Sequence, residues 1–277
     1  MTEKINQTLD GVSETLLITL NIRALESRRR DGMLQDEKAV AMVDRLACDF
    51  SRLRLRRHDE VAVIMRMRKF DAHVRDFLKR RAEAVVVHIG CGLDTRFERV
   101  DDGRVEWFDL DLPDVMELRR RLIGNENSRY HALAASAFDE EWLEAVSRFK
   151  PRPFLFLAEG VLPYFEEVQV RSLVLRLQDR FPGSELVCDA HTPFVVWADN
   201  LHLALTGVKA RLHWRLKHGK EVEGWGEDIR LLDEWNYYDD DEPRFRVYRW
   251  VRLFPALAKS SGIFHYRLGY QTATSRN

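Results

Sequence analysis

The stretch Ala84–Arg96, AVVVHIGCGLDTR, constrains this chain more than any other. Val85, Val86, Val87 and Ile89 form a short β-branched run that stops at Gly90. Such a run reads as a buried strand, although periodicity alone leaves a buried helix open. Gly90 and Gly92 let the backbone turn tightly and let a ligand approach bare peptide groups. Further on, a second apolar-aromatic run from Val105 to Phe108 leads into Asp109-Leu110-Asp111. Strand, glycine turn, helix, strand and acid is the layout of a nucleotide site, the acid at the second strand's tip taking the ribose hydroxyls.

Two ligand classes share that layout. A dinucleotide fingerprint needs a third glycine, where the helix packs on the strand. Here the pattern is Gly90-Cys91-Gly92-Leu93-Asp94-Thr95, with threonine in the third place. A pyrophosphate wants a glycine-lined helix N-terminus, whereas S-adenosylmethionine (SAM) has no phosphate. The threonine favours SAM. A dinucleotide site, or a glycine turn serving packing alone, stays open on these residues.

Composition narrows the classes. The 277 residues suit one or two domains, and 45% hydrophobic residues are ample for a large core. A net charge of −1 gives no bulk electrostatic case for nucleic acid or a membrane. Arg28-Arg29-Arg30 and the run from Arg52 to Arg57 read as solvated faces balanced by acids elsewhere. Cys48, Cys91 and Cys188 are odd in number and far apart, which excludes a fully paired disulfide framework and suggests a reducing compartment. The opening MTEKINQTLDG lacks a basic segment followed by an apolar core, so no signal peptide is expected and the location is read as cytoplasmic. No apolar run approaches the ~18 residues of a membrane span.

Along the chain, three helices come first: about Val12 to Arg30, Asp36 to Phe50, and Val61 to Lys79, each with apolar residues on one face. After the Val85–Ile89 strand, strands and helices alternate. Strands are expected at Tyr130–Ala135, Phe154–Ala158 and Ser184–Ala190, and helices at Asp114–Ile123, Asp139–Phe149 and Val168–Phe181. This predicts an α/β fold with a parallel sheet and right-handed crossovers, its ligand at the carboxyl tips of the strands. From Thr192 to Pro255 the alternation stops. Five of the seven tryptophans fall there, Trp197, Trp214, Trp225, Trp235 and Trp250, with Tyr237, Tyr238, Phe245 and Tyr248. The segment reads as a helical insertion whose aromatics fill its own core or stack on a flat apolar acceptor. Gly262–Gly269 reads as a closing strand.

HIGCGLDTR, WFDLDLPDV and FLAEGVLPYF, in that order and spacing, resemble the leucine carboxyl methyltransferase family. The likeness is greatest to its bacterial branch, which includes tetracenomycin-type O-methyltransferases of polyketide biosynthesis. It spans about Ala24 to Ala190. The resemblance implies a Rossmann-like class I SAM-dependent methyltransferase that passes a methyl group to a carboxylate or hydroxyl of a small, aromatic or polyketide-like acceptor, with S-adenosylhomocysteine (SAH) as product. The implied organisation is an N-terminal helical cap (1–83), a SAM-binding core (84–191), an aromatic-rich helical lid (192–255) and a C-terminal closing strand (256–277). Nothing in the residues singles out an assembly state.

The resemblance also assigns roles. Gly90, Cys91 and Gly92 pass close to the methionine end of SAM. Asp111, rather than its neighbour Asp109, takes the ribose hydroxyls. Glu159 lies near the methionine amino group, and Arg66, with Arg68 as fallback, meets the carboxylate. Ser136 and Ala137 contact the adenine. Many relatives carry aspartate at the Ser136 position, and a hydroxyl meets the adenine amino group more weakly.

In-line methyl transfer asks mainly for alignment. A carboxylate acceptor is already ionised, while a phenol or alcohol gains from a base. Tyr164 and His191, following the fourth and fifth strands, are the candidate catalytic residues at the acceptor; a structural hydrogen bond is the competing reading for each. His88-x-x-Cys91 and Cys188-x-x-His191 have metal-pair spacing, but strand ends turn such thiols toward core or cofactor, and no metal is expected. G-x-S-x-G is absent. The rival readings are an NAD(P)-linked oxidoreductase and a non-catalytic SAM-binding or protein-interaction module.

Overall fold

The computed structural model describes residues 4–5, 15–53, 55–124, 127–206 and 210–270. Val12 lies outside them, as does the side chain of Tyr248. Strands β1 (Val85–Ile89), β2 (Glu106–Asp111), β3 (Tyr130–Ala134), β4 (Phe154–Ala158) and β5 (Ser184–His191) run parallel. Two more, β6 (Ile229–Asn236) and β7 (Ser261–Leu268), complete one mixed sheet, β7 lying antiparallel to both β5 and β6. The order across the sheet is β3-β2-β1-β4-β5-β7-β6. Chain order reverses between β1 and β4, and such a switch point opens a crevice beyond the strands' carboxyl ends.

Alternation divides each central strand between two cores. Val85, Val87 and Ile89 of β1, with Phe154, Phe156 and Ala158 of β4, face one side. There they meet Trp142 of α6 (Glu141–Ser147) and Leu173 of α7 (Glu167–Arg180). Val86, Leu155 and Leu157 face the other, against Phe70, Val74 and Phe77 of α3 (Arg57–Arg80) and Phe97 of α4 (Arg96–Val100). Both faces are covered, which is why the strands read as nearly continuous apolar runs. α3 is therefore a layer of the sheet's own core, although it precedes the expected boundary at residue 83.

The first two helices, α1 (Thr15–Ser27) and α2 (Glu37–Arg45), pack elsewhere. Leu17, Leu20, Ala39 and Met42 join Val115 and Leu118 of α5 (Pro113–Leu122), together with Leu93 of the glycine loop. Asp36 caps α2 by accepting from the Ala39 N–H at 2.9 Å. Pro113 opens α5, where its missing N–H costs nothing. Arg28 and Arg29 pair with Asp44 and Asp31.

The 192–255 segment departs from the helical reading. It contributes α8 (Pro193–Thr206) and short 3₁₀ turns, but also the edge strand β6. The tryptophans divide. Trp214 is buried with its ring centroid 6.2 Å from that of Trp225, and Trp235 joins the core under α3, whereas Trp197 and Trp250 are 62% and 56% exposed. Among the described residues no helix is long and apolar enough to cross a membrane.

One ion group ties α3 to the sheet. Arg80 donates from NH1 and NH2 to the two oxygens of Glu185, each at 3.0 Å, and His265 lies 2.7 Å from Oε2. Burial opposes ionisation of Glu185, but His265 and Arg80 outweigh it and lower its pKa from 4.5 to about 2. A depressed carboxylate stabilises the fold fully above its unfolded pKa and loses that contribution as pH falls through the folded one. Glu185→Gln is therefore expected to lose about 2 kcal/mol at pH 7, allowing for solvent screening at the sheet's rim. Its deficit should close between pH 4.5 and 2, as read by urea denaturation. A deficit unchanged across that window would rule the linkage out.

Candidate active site

A cavity of about 350 Å³ lies at the carboxyl ends of β1, β2, β3 and β4. Gly90, Cys91 and Gly92 enter it from β1, Asp111 from β2, Ser136 and Ala137 from beyond β3, and Glu159 and Gly160 from beyond β4. Arg66 of α3 closes one side, and Thr15, Leu16 and Thr19 of α1 form another wall. The eight expected cofactor residues thus share one cavity.

The loop geometry explains the glycines. Gly90 has φ +66°, and a Cβ there would stand 2.7 Å from Val161 Cγ2. Only glycine combines that left-handed backbone with that approach. The Gly90 N–H bonds Leu110 O at 2.8 Å, fixing the β1 turn to the end of β2. Gly92 donates its N–H to Asp111 Oδ2 at 2.7 Å, and Leu112 donates to Oδ1 at 2.8 Å. Burial raises the pKa of Asp111 despite those two N–H donors. Its oxygens keep lone pairs for a diol.

Asp109 sits two residues earlier on the same strand and is consumed by the fold. It is buried against the Arg119 guanidinium and also accepts from Trp107 Nε1 at 2.7 Å and the Tyr130 hydroxyl at 2.8 Å. The two acids of the DLD sequence thus have different surroundings, one structural and one facing the cavity.

Behind the loop lies a buried ion network that sequence reasoning missed. Arg96 bonds Asp71 at 2.7 Å, Asp94 at 3.1 Å and Glu159 at 2.5 Å, and its side chain is fully buried. Arg99 bonds Asp71 and Asp94, each at 2.9 Å. Arg23 of α1 reaches Asp36 at 2.5 Å and Leu93 O at 2.7 Å, while the Thr95 hydroxyl donates to Asp36 at 2.6 Å. Burial opposes ionisation of Asp94, but Arg96, Arg99 and Arg23 overcome it and hold the carboxyl well below its usual range. The Leu-Asp-Thr-Arg half of the motif thus fastens the N-terminal helices to the cofactor loop. Its charged residues were the available signal.

Arg66 donates from Nε to Glu159 Oε1 at 3.0 Å and from NH1 to Asp189 Oδ2 at 2.9 Å. Arg68 lines a different, open groove beside α2. The Ser136 hydroxyl accepts weakly from the Phe138 N–H at 3.3 Å, and the Ser136 N–H is taken by Asp139. Tyr164 lines the cavity, is hydrogen-bonded to Thr15, and has its phenol pKa raised by burial.

His191 follows Asp189 at the end of β5, near Arg66. It is not among the residues lining the SAM-side cavity; it lines a separate pocket of about 220 Å³ and bonds Ser261 at 2.8 Å. β7 pairs with β5 as far as His191↔Ser261, which brings the Ser261 hydroxyl against the ring. His88, half of the His88-x-x-Cys91 spacing, lines the cavity, with Nε2 3.3 Å from Arg96 NH1. Cys91 packs 3.8 Å from the Met116 sulfur, and all three cysteines are free thiols. Among the described residues no group of His, Cys, Asp and Glu is arranged to hold a metal.

These residues fit SAM. Asp111 and Glu159 line the cavity together with Arg66. The same acids suit a diol, an ammonium and a sulfonium, and Arg66 suits a carboxylate. Thr95, in the place of the third fingerprint glycine, is buried and bonded to Asp36. A seven-stranded mixed sheet of order β3-β2-β1-β4-β5-β7-β6, with β7 alone antiparallel, a glycine turn after β1 and an acid at the tip of β2, is the fold of class I SAM-dependent methyltransferases.

Comparison with known proteins agrees. Residues 16–178 match the model of the leucine carboxyl methyltransferase family. The tetracenomycin polyketide synthesis O-methyltransferase TcmP of Streptomyces glaucescens is 35% identical over 268 residues, covering 93% of this chain and 97% of that protein. A SAM-dependent methyltransferase, dpfgK, of Gibberella zeae is 34% identical, covering 91% of each. Among solved structures, one from Thermobifida fusca provisionally described as a methyltransferase superposes with TM-score 0.60 at 17% identity, covering 94% of this chain and 96% of that one. That likeness speaks for the fold. The chain belongs to the leucine carboxyl methyltransferase family and is a SAM-dependent O-methyltransferase.

Proposed function

We propose that this enzyme methylates a carboxylate or hydroxyl oxygen of a small aromatic or polyketide-like molecule, releasing SAH. The observation that carries the cofactor half is the meeting of Asp111, Glu159 and Arg66 around one cavity floored by Gly90. In this reading Asp111 accepts from the ribose hydroxyls, Glu159 from the methionine ammonium, and Arg66 donates to its carboxylate. Ser136 and Ala137 border the adenine. The likeness to TcmP supports a polyketide-like acceptor.

Bound SAM supplies a methyl group already activated by its sulfonium. The chain's own residues hold and orient the partners and keep water out, the contribution that alignment makes to an in-line transfer. Leu16, Met67, Val161 and Phe165 make the cavity wall apolar, which suits a flat acceptor entering beside α1. Tyr164 carries a phenol, protonated at neutral pH in its ordinary range, and it serves as a hydrogen-bond donor to the acceptor oxygen. An acceptor ionised at neutral pH, a carboxylate, makes the least demand on such a site. Three free thiols suit a reducing compartment, and we place the enzyme in the cytoplasm.

The test has two stages. SAM is expected to bind and raise the melting temperature, while NAD leaves it unchanged. Methyl-labelled SAM is then incubated with aromatic carboxylic acids and phenols. Label released by alkali as methanol marks an ester, and alkali-stable label marks an ether. Protection by NAD alone, or label found only on nitrogen or on macromolecules, would overturn the proposal. Tyr164→Phe is expected to lower kcat about 3- to 10-fold at unchanged SAM affinity, the loss of one neutral hydrogen bond. An unchanged kcat would remove Tyr164 from the acceptor site.

A further inference from the structure

Asp189 sits near the carboxyl end of β5, is 1% exposed, and has no part in the roles assigned above. Ala158 and Cys188 are register partners, so the chain brings Glu159 and Asp189 side by side as the next residues of β4 and β5. Asp189 Oδ1 accepts from the Gly160 N–H at 2.7 Å, and Oδ2 accepts from Arg66 NH1 at 2.9 Å. Glu159 accepts from Arg66 Nε at 3.0 Å through Oε1 and from Arg96 through Oε2. Tyr237, at the end of β6, is also hydrogen-bonded to Arg66. A Cβ on Gly160 would stand 3.1 Å from Arg66 NH2, so the guanidinium rests against the β4 turn.

The division of labour matters. An arginine facing one carboxylate closes on it as a two-pronged pair. Here Asp189 takes one nitrogen of Arg66, and Glu159 gives that arginine a single oxygen. We propose that Asp189 is a positioning residue for the cofactor: it locks the Arg66 guanidinium and the Gly160 turn into one rigid unit, so that the methionine end of SAM meets a cation and an acid already held apart. Asparagine cannot replace it. Its one amide oxygen can serve Gly160 or Arg66, and its NH2 then faces a donor. The inference rests on the assignment of Arg66 to the SAM carboxylate, and its test separates the two.

SAM affinity is measured by calorimetry for the wild type, Asp189→Asn, Arg66→Ala and the double variant. Asp189→Asn is expected to weaken SAM about tenfold. In the Arg66→Ala background the same change should cost less than about twofold, because residues acting as one unit are not additive. A full tenfold cost in that background would mark Asp189 as merely structural and overturn the proposal. So would wild-type affinity in Asp189→Asn. If Arg66→Ala binds SAM as the wild type does, the assignment of Arg66 itself falls, and this inference with it. Should Asp189→Asn fail to fold, Asp189→Glu carries the test. It keeps the charge but moves the carboxylate, and the same non-additive loss is expected; additive loss or none overturns the proposal.

Discussion

Asp111→Asn is expected to weaken SAM binding roughly 10- to 100-fold, the worth of a hydrogen bond to a charged acceptor. The apo protein should melt within about 3 °C of the wild type. The two effects part company because Asp111 is a costly residue for the fold. Burial raises its pKa, so the fold disfavours its ionised form. A carboxyl with a raised folded pKa contributes stability at low pH that is lost as pH rises through that pKa. Removing the charge relieves this cost, while one amide oxygen must now satisfy the Gly92 and Leu112 N–H groups that two carboxylate oxygens served. The raised pKa also predicts that wild-type SAM affinity declines on acidification at a higher pH than an ordinary carboxylate would impose. Calorimetry across pH, with melting curves of both proteins, reads all three. An Asp111→Asn variant that binds SAM normally would remove the ribose contact from the site.

Arg96→Ala should act in the opposite sense, on the fold first. Its side chain is fully buried and faces Asp71, Asp94 and Glu159 at once. Breaking a buried pair from one side costs about 3–5 kcal/mol, because the remaining charge is left without its partner. Here three carboxylates lose a partner. Arg99 still holds Asp71 and Asp94, and Arg66 still holds Glu159, which bounds the loss. Against a typical 5–15 kcal/mol of total stability, the variant should melt on the order of 10 °C below the wild type. A fall under about 3 °C would show that the network is loosely coupled. The drop should persist with SAM present, since the network underlies the cofactor loop.

The two predictions also mark how much of the protein could be read before it folded. The β-branched run of β1 and the Phe-Leu-Phe-Leu-Ala of β4 are strands by local composition, and the structure has them at Val85–Ile89 and Phe154–Ala158. β6 went unread for an equally local reason. A register shift between Leu231 and Asp233 breaks its alternation, and Arg230, Asp233 and Glu234 give it the charge of an exposed edge. The cavity-facing role of Asp111 was suggested by family likeness; composition alone offered two acids. Trp107, Arg119 and Tyr130 consume Asp109, and none of their bonds is written in the DLD sequence.

The amino-acid sequence by itself determined the alternating α/β order, the glycine turn after β1 and the presence of acids at the end of β2. Each follows from side-chain period, β-branching or backbone freedom within a few residues. Tertiary structure alone decided the ion partners, the route of the last two strands and the contact of His191 with Ser261. Arg66 meets Glu159 and Asp189 across separations of 93 and 123 residues. Coulomb attraction depends on distance through space, and burial in a shared low-dielectric interior decides its strength. No local pattern encodes either quantity until the sheet brings those strand ends together.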